Sequence, residues 1–192
     1  MASQRVLIEG TYNDLTGVTT HGIIGTFAAS NPNVANVYNF SVGGVAGVVA
    51  ANNFLTLFNP TGSGKILTFG GAFISSTTAA GSTETAPMQG FRITTASAGT
   101  LQLASAVMKF TSASANPLAE VRLGNPTATL GAQFFNSPPA ISSTTASTNV
   151  HAVLTPAGFS SLTFAENEGV VFRTSAGDID QRWNMGIVWG EN

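Results

Sequence analysis

Short runs of alternating apolar and polar residues, each closed by Gly, Pro or Asn, constrain this chain more than anything else in it. The clearest is Trp183-Asn184-Met185-Gly186-Ile187-Val188-Trp189, where four large apolar residues fall on every second position. In a strand such positions share one face. Leu55-Thr56-Leu57-Phe58 ends at Asn59-Pro60-Thr61-Gly62-Ser63-Gly64, and Lys65 to Phe69 begins a second run that continues past Gly70-Gly71 into Ala72-Phe73-Ile74. Phe91 to Thr94 alternates, as does Glu120 to Leu123 before Gly124-Asn125-Pro126. Leu162 to Phe164 leads into Glu166-Asn167-Glu168-Gly169, and Val170 to Thr174 leads out. Period-two runs bounded by turn residues predict short strands of a sandwich or barrel. Leu101 to Ala115 is the best helix candidate, being free of Gly and Pro. Its apolar positions Leu101, Leu103, Val107, Met108 and Phe110 form no single helical stripe, and its Ser and Thr content disfavours a helix.

Composition decides what kind of all-β protein this is. Only 16 of 192 residues are charged, whereas Ser and Thr together number 42. An ordinary domain is about a quarter charged and uses those charges to keep its surface solvated. A chain this poor in charge is expected to cover much of its surface with other chains. The net charge of −2 gives no general attraction to nucleic acid or anionic lipid, and the five arginines form no cluster. There is no cysteine, so neither a disulfide framework nor a thiolate site. The N-terminus lacks the pattern of a secretory signal, and the most apolar stretch, Val42 to Ala51, is too short and too rich in Gly to span a membrane. Phe makes up 13 of 17 aromatic residues and has no polar handle, which assigns it to core or interface. Phe58, Phe69, Phe73, Phe164 and Phe172 are expected to contribute to the core.

Candidate chemical sites are few. Asn59 to Ile66 has a phosphate-loop flavour, but Asn59 stands where that motif needs Gly and Ile66 where it needs Ser or Thr. A Gly-rich hairpin loop explains it better. His21 and His151 are the only histidines, and neither has a metal-spaced partner. Glu166/Glu168 and Asp178/Asp180 are the close acidic pairs, readable as charged turns or as calcium ligands. Asn39-Phe40-Ser41 matches a glycosylation sequon of low specificity. The two Asn-Pro-Thr turns at 59–61 and 125–127 read as separate turns using the same chemistry rather than as a duplication. No nucleophile and base stand in a recognisable constellation. No catalytic, cofactor-binding or metal-binding residue is assigned, no cofactor is expected, and the chain reads as a non-enzyme.

The segment Phe54 to Leu67, and the end of the chain from Leu162 to Phe172 and from Asp180 to Glu191, resemble small all-β structural proteins of tailed bacteriophages. The resemblance spans about a third of the chain and rests on turn chemistry and alternation. It implies a capsid decoration (cement) or head-fibre protein, and carries no catalytic residues. The resulting expectation is an antiparallel β-sandwich of jelly-roll type over 37–192, with residues 1–36 forming an extended N-terminal arm or thin peripheral strands. Its expected partners are the major capsid protein and copies of itself, as a homotrimer, with no nucleic acid and no membrane. Its expected place is the outer capsid surface of the virion, after synthesis in the host cytoplasm. The alternatives are a tail, fibre or baseplate component, and a carbohydrate-binding sandwich module or adhesin. The last requires exposed Trp or Tyr, and only Trp183, Trp189, Tyr12 and Tyr38 are present.

Overall fold

A computed structural model describes residues 12–13, 19–20, 36–47, 51–78, 87–110, 113–136, 147–154, 162–175 and 181–192. Contacts divide the chain into two units, Met1–Ala35 and Asn36–Asn192. In the first, β1 (Tyr12–Asn13) and β2 (Thr19–Thr20) pair antiparallel. Asn36, the last residue of the expected arm, belongs to the second unit; the rest of the expected arm, together with His21, Asp178 and Asp180, lies outside the described residues.

The second unit is all-β, two antiparallel sheets packed face to face. Its strands are β3 (Asn36–Ala46), β4 (Asn52–Asn59), β5 (Leu67–Thr78), β6 (Met88–Ser97), β7 (Thr100–Leu101), β8 (Met108–Lys109) and β9 (Glu120–Leu123). They continue with β10 (Thr127–Asn136), β11 (Ser147–Leu154), β12 (Thr163–Phe164), β13 (Glu168–Thr174) and β14 (Gln181–Glu191). One sheet has the order β10-β6-β13-β4-β9-β7, the other β11-β5-β14-β3-β8, with β12 added on β5. His151 lies on β11, at a register shift against β5.

β14 forms the middle of the second sheet because alternation gives it an apolar inner face from Trp183 to Trp189. Trp183, Met185, Ile187 and Trp189 are all buried, while Asn184 and Gly186 face the other way. Opposite them stand Leu55 and Leu57 of β4 and Val170 and Phe172 of β13. Rings interlock across the gap, Phe54 with Trp183 at 5.9 Å and Phe134 with Phe69 at 6.3 Å, and within each sheet, Tyr38 with Trp189 at 5.5 Å and Phe134 with Phe172 at 6.1 Å. Each buried indole removes about 200 Å² from water, a gross gain of about 5 kcal/mol.

One expectation about the core needs correction. Phe69, Phe164 and Phe172 are in it, but Phe73 is 43% exposed. The register of β5 against β14 slips between Phe69 and Gly71, where Trp189 faces Phe69 and Val188 faces Gly71. That extra residue reverses the alternation, so Ala72 and Ile74 point inward and Phe73 outward, opposite Gly186. Phe58 is buried as expected, in a smaller core cluster with Ile93 and Val171 on the outer face of the first sheet. The Asn59–Ile66 loop is not the expected hairpin: the strands it joins, β4 and β5, belong to different sheets.

Candidate interaction surface

The loop singled out by its glycines and the acidic turn singled out by its carboxylates come together. Residues 60–66 cross from β4 to β5, and 165–167 cross from β12 to β13, so two arches bridge the sheets side by side. Gly62 and Gly64 have positive φ, 80° and 62°, which turns both amides toward one point. Glu166 fills that point: Gly62 N donates to Oε2 at 3.1 Å and Gly64 N to Oε1 at 2.7 Å. These two amide bonds hold the Glu166 carboxyl below its ordinary range. Thr61 Oγ1 donates to Asn167 Oδ1 at 2.6 Å, and Asn167 N donates to Asn59 O at 2.8 Å. Asn59 is fully buried and satisfied, its Nδ2 donating to Lys65 O and Phe164 O while its Oδ1 accepts from Ser63 Oγ.

This arrangement answers both chemical readings of the sequence. The loop does present amides to an anion, and the anion is the chain's own carboxylate. Glu168 is also engaged, accepting from Ala165 N at 2.9 Å and from Arg92 Nη2 at 3.4 Å. The two glutamates therefore face separate donors rather than one cation. Among the described residues no cluster of His, Asp or Glu is placed to hold a metal ion. The two Asn-Pro-Thr turns also differ: Asn59 is a strand terminus with a buried amide, whereas Asn125 takes a left-handed φ of 61°.

The surface that stands out was not legible as a site. The chain between Thr100 and Leu123 leaves the first sheet at β7, makes a 3-10 turn at Ala104–Ala106, joins the second sheet at β8 and returns to the first at β9. It forms a flap across the side of the sandwich beyond β3 and β4. Val107, Ala119 and Val121 plug into the core beneath it. Gln102 N donates to Val121 O and Phe110 N to Val37 O, so it is tied to both sheets.

Glu191 anchors the return arm. Its nearly buried carboxylate accepts from Leu118 N at 3.0 and 3.1 Å, Ala119 N at 3.0 Å and Trp189 Nε1 at 3.1 Å. Tyr38 Oη donates to Ala115 O at 3.0 Å. Burial first, and the Glu191 charge second, push the Tyr38 phenol above its ordinary value.

The outside of the flap is apolar. Leu103 is 74% exposed, and Leu101, Met108, Phe110 and Leu118 are each about half exposed. These are five of the eight exposed large hydrophobic residues among those described. Charge does not dilute them. Lys109 donates to Ser114 O, and Arg122 closes on Glu120 at 2.7 Å. Elsewhere Arg92 caps the Phe164 ring at 4.9 Å and Arg173 lies 6.0 Å from the Phe91 ring. The charges among the described residues are thus largely engaged within the fold. Trp183, Trp189 and Tyr38 are fully buried, which leaves Tyr12 as the one Tyr or Trp whose exposure is not described.

No protein-family model, no curated protein and no solved structure matches this chain.

Proposed function

We propose that this chain is a structural protein of a virus particle, a decoration (cement) protein on the head of a tailed bacteriophage. It binds the outer surface of the shell as a homotrimer and bridges neighbouring major capsid protein subunits. The role is mechanical, not catalytic. The observation that carries this reading is the strand order. The eight long strands β3, β4, β5, β6, β10, β11, β13 and β14 supply two four-stranded blocks, β11-β5-β14-β3 and β10-β6-β13-β4. Chain-consecutive strands mostly change sheet, and first and last lie side by side, which supports the double Greek-key order of a jelly roll. Jelly rolls recur in viral shells and in lectins. Fold alone does not separate these. The burial of Trp183, Trp189 and Tyr38 weighs against the lectin-like alternative, which needs a stacking face. The apolar flap and the engaged charges support a chain that finishes its surface by assembly.

Residues 1–35 serve in this reading as an arm reaching a neighbouring copy or the shell, ordered by main-chain pairing rather than large side chains. The test is immunogold labelling of purified particles with antibody against this chain. Label over the heads supports the proposal. Label confined to tails or fibres shifts the role to those parts, and unlabelled particles refute a virion role.

A further inference from the structure

We infer that the flap between Thr100 and Leu123 is a contact surface for a second copy of this chain. The inference rests on the assembly reading above and names the part of the surface that makes the subunit contact. The outward side chains of Leu101, Leu103, Met108, Phe110 and Leu118 leave on the order of 500 Å² of apolar surface in water, taking roughly 200 Å² for a fully exposed large side chain. That is the size of the largest patch a typical monomer tolerates, and such patches are commonly functional. A standard subunit contact takes about 800 Å² from each side. The flap supplies most of that as apolar centre, leaving a rim for the polar residues around it.

Charge and backbone select the occupant. Lys109 is the one charged residue of the flap before Glu120, and its ammonium is turned onto Ser114 O. Glu120 and Arg122 neutralise each other. The flap thus offers no charge pattern to a nucleic acid, an anionic lipid or a charged protein. Homo-oligomer contacts are the most apolar class, and a second copy brings the same uncharged surface. The flap also ends both sheets. Among the described residues β7 pairs only with β9, and β8 only with β3, so each presents a strand edge beside the apolar side chains. A second copy supplies edges of equal length and matching side chains, which satisfies main-chain groups and buries the leucines together.

The experiment measures the mass of the purified full chain by light scattering over a concentration series, for wild type, Leu103→Asp, Leu103→Gln and Met108→Lys. Phe73→Asp on β5 and Leu130→Asp on β10, exposed positions on strands that do not pair with the flap, serve as controls. Wild type and controls should run as a multiple of 19.6 kDa. The flap variants should dissociate toward one chain, with self-association weakened at least about 30-fold. Circular dichroism must match wild type; Leu103→Gln, which adds no charge, decides the matter if the charged variants fold poorly. A wild-type chain that is monomeric at high concentration overturns the inference, as do folded flap variants that keep the wild-type mass. Because these masses need no virus particle, they stand or fall separately from the labelling of heads.

Discussion

Replacing Glu191 tests whether one carboxylate holds the flap to the sandwich. In Glu191→Ala three donors lose their acceptor: Leu118 N, Ala119 N and Trp189 Nε1. An unanswered buried donor costs about 1–3 kcal/mol. Removing the carboxylate also removes the cost of keeping it out of water, so the net loss should be about 3–5 kcal/mol rather than the full sum. For a domain of this size 1 kcal/mol is worth roughly 2–4 °C, which places the melting temperature about 10 °C lower. Glu191→Gln is the informative companion. All three donors reach Oε1, so an amide oxygen in that place keeps them, and only the Leu118 N contact to Oε2 becomes donor against donor. Its cost should be about 1–2 kcal/mol. Thermal melts give the totals, and hydrogen exchange at Leu118 and Ala119 reports the anchor directly. Tyr38 supplies a second readout. Its raised phenol pKa means the folded state keeps the proton longer than the unfolded one, so stability falls as pH rises through and beyond 10.0. Either variant should lower that phenol only part way, because burial, the larger cause, remains. An alanine variant that melts within 2 °C of wild type, roughly 0.5–1 kcal/mol, would refute the reasoning. So would a glutamine variant as damaged as the alanine one.

Three other outcomes follow from the geometry. A Cβ on Gly169 would press on Leu57 O and lie 2.9 Å from Phe58 Cα, both main chain, so Gly169→Ala should cost about 3 kcal/mol or more by prising β13 from β4; an unchanged melt would contradict this. Glu166 has a lowered pKa in the fold, so its contribution is present above its unfolded value and lost as pH falls through the folded one. The Gly62 and Gly64 amide resonances should shift with a midpoint below 4.5, and Glu166→Gln should abolish that shift. Deleting Trp183 to Asn192 removes two indoles of about 5 kcal/mol gross burial each and the middle of a sheet, so no soluble folded protein should remain; a truncated chain that melts like wild type would disprove it.

What could be read from the sequence was decided by whether the signal is local. β14 was legible because four large residues on alternate positions leave one face to bury and one to expose. Phe73 was misread because the register shift at Gly70 and Gly71 is set by the neighbouring strand: a Cβ on Gly70 would sit 3.0 Å from Val188 Cγ1, a contact absent from any local window. The strand-loop-strand around Gly62 looks like a hairpin because neither strand declares its sheet; the Glu166 carboxylate, 102 positions beyond Gly64, shows why the glycines are there. The flap was visible only as a failed helix. Its apolar residues fit no stripe because only Val107 among Leu101, Leu103, Val107, Met108 and Phe110 points inward.

The place of β14 also governs timing. It lies between β3 and β5, pairing Glu191 with Asn36 at one end of the second unit's chain and with Leu67 further on. A ribosome releases β3 long before β14 exists, so the inner faces of β3 and β5 wait without the strand that separates them. The second sheet can close only after β14 emerges, and closure over so long a loop is slow. Folding of the second unit therefore waits for β14, and synthesis halted before it yields sticky, incomplete sheets instead of a smaller stable domain.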